Sequence, residues 1–330
     1  MLSTNQYRQY KHGSLFAMLL SIVLCNVSCS DDAGTEQPFC EYPSTRSVAV
    51  SLPLNTEATE INNLQVFIYN VAGTELLSEM EIIETEAKEN GIQLVQGLIP
   101  SNSPAINNEE LACRMVVLGN CPEINGQPES VESLTFNAND SQIPMIGSQE
   151  VQTHLDRNMS VMCATVNLLQ SGALITVRLA ESLTNAGIAL GSAILKDVNK
   201  VGYCAPKQAL KNNTSAEPAI SDIYNPNVSS HGNLSLLAKE DGSMEALVPE
   251  TSAPEAGPIE LELQFTLNGE AYSGIFGQTL YLKNYADNVP FDIVRGHHYI
   301  FNIRSLQTEG DLEVIVEEWT PTTAEDVIFK

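Results

Sequence analysis

Apolar residues in this chain come in short runs with a spacing of two, and that spacing decides the kind of core it can build. Val48, Val50, Leu52 and Leu54 alternate with smaller or polar residues, the period of a strand with one face against a core. Leu64-Gln-Val-Phe-Ile-Tyr69 follows, with a turn around Gly73. Met115-Val-Val-Leu118 reads as a buried strand ended by Gly119-Asn120. Further strands are predicted over 160–169, 173–179, 188–195, 259–267, 271–275, 298–303 and 312–316. Helical periodicity is weak, and only Asn107–Cys113 and Val131–Phe136 read as short helices. Many short strands at this spacing predict an all-β chain built of β-sandwiches.

The runs 160–169 and 173–179 are expected to pair across Gln170-Ser171-Gly172 as a hairpin-like connection. The same place divides the chain into halves of comparable size. The expected organisation is an N-terminal sandwich domain over 47–169 and a C-terminal one over 170–330, a length sufficient for two ordinary domains. The stretch Ala205 to Gly232, rich in Asn, Ser, Pro and Ala, predicts a long surface loop, and Thr251 to Pro258 a second. No repeat of solenoid length is present.

Ahead of these strands the chain begins differently. Eleven residues from Leu15 to Cys25 form an apolar run, preceded by Arg8, Lys11 and His12. A membrane-spanning helix needs about 20 apolar residues, whereas a signal-peptide core needs about 7–15. Residues 1–28 therefore read as a leader. Cys29 follows two small or medium residues and precedes the acidic Asp31-Asp32, the arrangement of a bacterial lipoprotein signal. Cleavage between Ser28 and Cys29 would leave the cysteine thiol and its new amine to carry acyl chains, and two or more chains anchor stably. The mature protein would then work outside the cytoplasm, tethered by its first residue, with residues 29–46 as a linker or propeptide. The competing reading is an ordinary signal peptide with Cys29 incidental, since Asn26 stands where Leu is usual.

Composition excludes one class outright. Forty-one Asp and Glu face sixteen Lys and Arg, a net charge of −25, so no basic footprint for nucleic acid can form. A search for catalytic chemistry is mostly negative: there is no G-x-S-x-G elbow, H-E-x-x-H helix or phosphate-binding glycine loop. Past the leader the histidines are His154, His231, His297 and His298. Adjacent residues on a strand face opposite ways, so His297 and His298 cannot chelate one ion there without a bulge. One buried and one exposed structural histidine is the expectation. Acidic pairs such as Glu109-Glu110 and Glu317-Glu318 read as solvated faces. Neither a cofactor nor a metal site nor an enzyme is predicted. Besides Cys25 and Cys29, the cysteines are Cys40, Cys113, Cys121, Cys163 and Cys204, with no zinc spacing. Cys113 and Cys121 flank a short strand and a turn, which leaves a bridge between them open; the alternative is that most are small buried apolar residues.

Several segments, taken in order, resemble the fimbrillin family, the lipoprotein precursors of the type V pilus of the Bacteroidota. They are Leu64-Gln-Val-Phe-Ile-Tyr-Asn70; Met115-Val-Val-Leu-Gly-Asn120 before Cys121-Pro122; Ile143-Pro-Met-Ile-Gly147; and Val294-Arg-Gly-His-His-Tyr299 followed by Leu312-Glu-Val-Ile-Val-Glu-Glu-Trp319. Gly296 stands where the family more often has Asn. The resemblance covers most of the mature chain. It implies two transthyretin-like β-sandwich domains in tandem, delivery to the outer membrane by the lipid, and assembly with other fimbrial subunits. It also implies a trypsin-like protease that cuts after a basic residue early in the mature chain, opening a groove that a neighbouring subunit's strand fills. Arg46, in Pro43-Ser-Thr-Arg-Ser47, sits in a polar stretch expected to be flexible and is the candidate for the cut, with Ser47 as the new N-terminus. The other reading of Arg46 is an ordinary exposed arginine.

An exposed sheet edge presents unpaired N–H and C=O groups that a partner strand satisfies. The tail Asp326-Val-Ile-Phe-Lys330 alternates Val327 and Phe329 around Ile328, and these three residues form the candidate donor strand. Each buried aliphatic or aromatic side chain contributes about 1.5–3 kcal/mol, so two anchors alone make a weak donor. Three functions follow from the sequence: a shaft or tip subunit of a surface fimbrium supporting adhesion, a monomeric surface lipoprotein that binds glycan or peptide, and an anchor subunit that keeps its lipid.

Overall fold

In the computed structural model the described residues are 45–53, 61–87, 92–100, 111–153, 161–206, 208–214, 230–255, 257–271, 278–283, 289–304 and 312–318. The first strands are β1 (Thr45–Pro53), β2 (Leu64–Asn70), β3 (Leu76–Glu79), β4 (Glu81–Ala87) and β5 (Ile92–Pro100). They are followed by β6 (Leu111–Gly119), β7 (Thr135–Asn137), β8 (Met145–Thr153), β9 (Val161–Thr165) and β10 (Leu169–Gln170). Two sheets result, one ordered β4-β5-β1-β9 and one ordered β10-β8-β6-β2-β3. Between them pack Val50, Val95, Ile99 and Ala164 from one side and Val66, Ile68, Cys113, Met115 and Val117 from the other.

The remaining strands are β11 (Ala173–Leu179), β12 (Ile188–Asn199), β13 (Val201–Tyr203), β14 (His231–Ser235), β15 (Leu237–Ala238) and β16 (Met244–Val248). Then come β17 (Glu260–Leu267), β18 (Glu270–Ala271), β19 (Gln278–Tyr281), β20 (His297–Ile303) and β21 (Leu312–Glu318). One sheet runs β15-β16-β11-β20-β21; another runs β14-β12-β17-β18, with β19 also paired to β17. Ile175, Val177, Ala246, Val248, Tyr299 and Phe301 of the former meet Leu195, Leu261, Leu263 and Phe265 of the latter. The fold is an all-β sandwich fold, as the period-two pattern predicted. In both halves the first strand lies between an antiparallel neighbour and a parallel one: β1 between β5 and β9, β11 between β16 and β20. Among the described residues only the second half adds a strand beyond the parallel one, β21 beside β20.

The uninterrupted apolar character of β2 and β6 has a specific cause. Their sheet is covered on both faces, which calls for an apolar residue at nearly every position. Phe67, Tyr69, Val116, Leu118 and Ile146 face away from the first core and pack on Val131, Leu134, Phe136, Cys204, Ala205, Ala209, Leu210 and Leu247. This cover includes the two-stranded ribbon of β7 with β13 and the segment 204–210. The expected long surface loop from Ala205 is therefore wrong at its start: Ala205, Ala209 and Leu210 are buried, because small residues and one leucine fill the outer face of the β6 sheet. The fit leaves no slack at Gly73, whose φ is +67° and where a Cβ would lie 1.8 Å from the Leu210 carbonyl oxygen.

Three further expectations are corrected. β10 pairs with β8, and β11 pairs with β16 and β20, so no hairpin joins the runs on either side of Gln170-Ser171-Gly172. The chain crosses there from one sheet to another, held by the Gly296 N–H donating to the Gly172 carbonyl. The helix expected over Val131–Phe136 lies earlier, as α1 (Pro128–Glu132), where Pro128 in the first turn and Glu129 set its start. Residues 111–113 of the other expected helix are strand, the beginning of β6, and a short α2 (Glu181–Asn185) precedes β12 without having been predicted.

Candidate functional site

Ser28, Cys29, Cys40, Val327, Ile328 and Phe329 lie outside the described residues, as does Trp319. Arg46 and Ser47 do not. They are the second and third residues of β1, opposite Ile99 and Leu98 of β5, and the parallel ladder to β9 begins at Ser47 opposite Val161. Residues 45–47 of the stretch expected to be flexible are thus part of a paired strand. Its polar composition misled, because the neighbours that pair with it come from residues about fifty and one hundred positions further on.

The segment Val294–Tyr299 carries a set of buried polar contacts. Arg295 is 1% exposed. Its Nη2 donates to the Glu250 carboxylate at 2.6 Å and to the Tyr203 carbonyl at 3.3 Å, while Nη1 donates to the Cys204 carbonyl at 2.9 Å. A single buried guanidinium thereby ties the entry to β20, the exit of β13 and the loop after β16. Gly296 follows with φ +69°, in the left-handed region that Gly and Asn tolerate best. That explains why Gly can stand where the family more often has Asn.

Tyr299 completes the corner, its hydroxyl donating to the Asp292 carbonyl at 2.8 Å and accepting from the Val294 N–H at 3.1 Å. Burial pushes its phenol up to about 12. The Tyr69 phenol, which donates to the Gly126 carbonyl at 2.5 Å, is raised further by burial and by nearby Glu79. Both groups are neutral in the folded state at a pH where the unfolded chain already loses its protons. Stability is therefore full below about pH 10 and falls as the pH rises towards 12, by about 1.4 kcal/mol per pH unit for each group. Denaturant titrations at stepped pH should show that decline, and Tyr299→Phe should make it shallower.

His297 and His298 have separate partners, as the alternation of a strand requires. His297 Nδ1 lies 3.0 Å from the Arg295 carbonyl and its ring stacks on Tyr299. His298 Nε2 lies 2.8 Å from the Thr176 hydroxyl, which also donates to Glu245. Both rings are half-buried, not one buried and one exposed, because β20 is flanked by β11 and β21 on a sheet whose outer face carries its own polar row. Among the described residues no group of three or more His, Cys, Asp or Glu side chains converges as a metal site would require.

Arg114 was not singled out by the sequence, although a lone cation between Cys113 and Met115 in an apolar strand was a signal. It is 2% exposed. Nη1 donates to Ser148 Oγ at 3.2 Å and Asn213 Oδ1 at 3.1 Å, and Nη2 to the Lys211 carbonyl at 3.0 Å. Ser148 Oγ in turn donates to the Ala209 carbonyl at 2.5 Å. Arg114 therefore pins the 204–214 segment along β6 and β8. Burial lowers its pKa, opposed by the Glu150 carboxylate.

The cysteines separate by face. Cys113 belongs to the core between the first two sheets, whereas Cys121 and Cys204 lie in the cluster on the opposite face of the β6 sheet. A bridge between Cys113 and Cys121 is therefore excluded. All three are buried free thiols, and burial pushes the Cys113 thiol up to about 11.

No family model and no curated protein matches this sequence. Solved structures do. The chain is similar to a fimbrial assembly protein from Parabacteroides distasonis, with a TM-score of 0.51 at 15% identity, covering 83% of this chain and 96% of that one. A provisionally assigned cell adhesion protein from Bacteroides eggerthii aligns at a TM-score of 0.47 and 15% identity, over 84% of this chain and 96% of the other. A fimbrial anchor protein from Porphyromonas gingivalis aligns at 0.36 and 14% identity, over 84% and 99%. The likeness at such identities is one of fold. The fold shared with the fimbrial assembly protein is in keeping with the resemblance read from the sequence.

Proposed function

We propose that this chain is a subunit of a surface fimbrium, carried to the outer membrane as a lipoprotein on Cys29 and built of tandem sandwich domains over 47–169 and 170–330. The observation that carries the reading is a shared sandwich fold spanning 96% of a fimbrial assembly protein, together with the ordered family segments between Leu64 and Trp319. As a shaft or tip subunit it would be cut after Arg46 by a trypsin-like protease, receive a neighbour's strand and donate its own tail, Val327 to Phe329, in support of adhesion. Arg46 is the first Lys or Arg after Lys11, so such a protease would meet no earlier site in the mature chain.

One observation favours a second reading, that of a subunit retaining its lipid as an anchor. Proteases take substrates as extended, unpaired strands, and the Arg46–Ser47 bond is already paired within β1. Cleavage of the folded chain would have to await local opening. Native protein treated with trypsin is expected to yield an N-terminus at Ser47 about tenfold more slowly than urea-unfolded protein; equal rates would remove the support for retention. The deciding experiment examines outer-membrane material for heat-resistant ladders, for acyl chains on Cys29 and for a new N-terminus at Ser47. Ladders beginning at Ser47 support the shaft or tip subunit. An acylated chain at the end of a fibre supports the anchor, and an acylated monomer absent from fibres overturns the fimbrial reading.

A further inference from the structure

We propose that the turn Gln208–Thr214 is an edge cap: it occupies the open side of β8 where another strand would pair, and lifting it lets two copies of this chain join β8 to β8. The proposal is independent of the fimbrial reading.

β8 has β6 along its whole length on one side. On the other side its strand neighbour is β10, which meets only Met145 and Ile146. Past that contact the outward-pointing backbone groups begin with Ser148 and Glu150, and the turn takes them one by one. The Thr214 N–H donates to the Ser148 carbonyl at 2.8 Å. The Ser148 N–H donates to Thr214 Oγ1 at 3.0 Å, and the Glu150 N–H to Asn213 Oδ1 at 2.9 Å. Side-chain oxygens and a backbone N–H thus stand in for a strand. A sheet edge with unpaired N–H and C=O groups is a template for another chain, and covering it with a loop is one way a fold prevents that pairing.

The cover is light and hangs on one atom. Asn213 Oδ1 accepts from the Glu150 N–H and also from Arg114 Nη1 at 3.1 Å. The side chain that closes the edge is therefore the one latched to the buried cation. Asn213 itself is exposed and Thr214 half-buried. The turn begins at Gln208 with φ +61°, a left-handed conformation that is unfavourable for a residue with a Cβ.

An uncovered β8 is its own complement. About a two-fold axis at Val151, antiparallel pairing sets Glu150 of one copy opposite Gln152 of the other, and the reverse. Alternation along the strand points the N–H and C=O of both residues outward, so each such pair exchanges both of its hydrogen bonds. This register also avoids setting Glu150 against Glu150, where like charges would repel. The contact uses the same patch on both copies and closes on itself, giving a dimer and not a fibre.

The test uses the full chain, with hydrogen exchange read at single amides and mass read by sedimentation at matched concentrations. Asn213→Ala with Thr214→Val should speed exchange at the Ser148 and Glu150 amides about tenfold and raise the dimer fraction above that of wild type. Adding Glu150→Pro should remove the dimer, because it deletes the N–H a partner strand needs at an outward-pointing edge position, where proline is tolerated. Thr214→Val alone removes a single acceptor with little change of shape and should show a smaller form of both effects, so a double variant that fails to fold leaves the test intact. Unchanged exchange at Ser148 and Glu150 would overturn the cap. Faster exchange without more dimer, or a dimer that survives Glu150→Pro, would overturn the pairing through β8.

Discussion

Arg295→Ala is expected to destabilise the protein by about 3–5 kcal/mol, the range for breaking a buried ion pair from one side. The loss has two parts. The Glu250 carboxylate, 5% exposed, would lose the guanidinium that donates to it, and the carbonyls of Tyr203 and Cys204 would lose a shared donor. For a chain of this size that corresponds to a fall in melting temperature on the order of 10 °C. Arg295→Lys should recover only part of it, because an ammonium cannot reach three acceptors in the planar fork that a guanidinium supplies. Replacing both partners, as Arg295→Met with Glu250→Leu, should be milder than Arg295→Ala, since no buried charge remains. A single substitution within 1 kcal/mol of wild type in a urea titration would show that Arg295 does not hold the corner together.

Much of the fold was legible because it depended on spacing. The runs that became β2, β6, β11, β17 and β20 alternate or are continuously apolar, and each is a strand in the structure. Continuous runs also signalled a sheet covered on both faces, without saying what covers it. The cover for Phe67, Tyr69, Val116 and Leu118 comes from segments as distant as Leu247, and the composition of Ala205–Leu210 resembles a loop. The hairpin expected at Gln170–Gly172 failed for a related reason: adjacency in sequence favours adjacent pairing, but here the chain changes sheets. Arg295 was legible as part of a family-like segment, yet its partners Glu250, Tyr203 and Cys204 were not, being set by the tertiary path alone. Arg114 shows the same limit. A cation in an apolar strand announces that something must pair with it, and only the fold reveals that the partners are Ser148, Lys211 and Asn213.

That dependence on distant cover gives the second large prediction: a chain ending at Gln170, the expected domain boundary, should not fold cooperatively on its own. It would keep both sheets of the first sandwich, and the core of Val50, Val66, Ile68, Met115 and Val117 would survive in outline. Its outer face would not. Phe67, Tyr69, Val116, Leu118 and Ile146 would lose Cys204, Ala205, Ala209, Leu210 and Leu247, and Arg114 would lose the Lys211 carbonyl and Asn213. At about 1.5–3 kcal/mol for each large apolar side chain fully uncovered, even partial exposure of these five amounts to several kcal/mol, comparable with the whole stability of a domain. The truncated chain is expected to bind a hydrophobic dye, to lack a sharp thermal transition and to oligomerise through its bare sheet face, whereas the full chain should unfold cooperatively. Adding the separate segment 201–214 in trans should not restore it, because Leu247 and the Arg295–Glu250 corner that hold that segment in place would be missing. A truncated chain that melts as sharply as the full one would mean that the first sandwich is self-sufficient and that the later segment merely rests upon it.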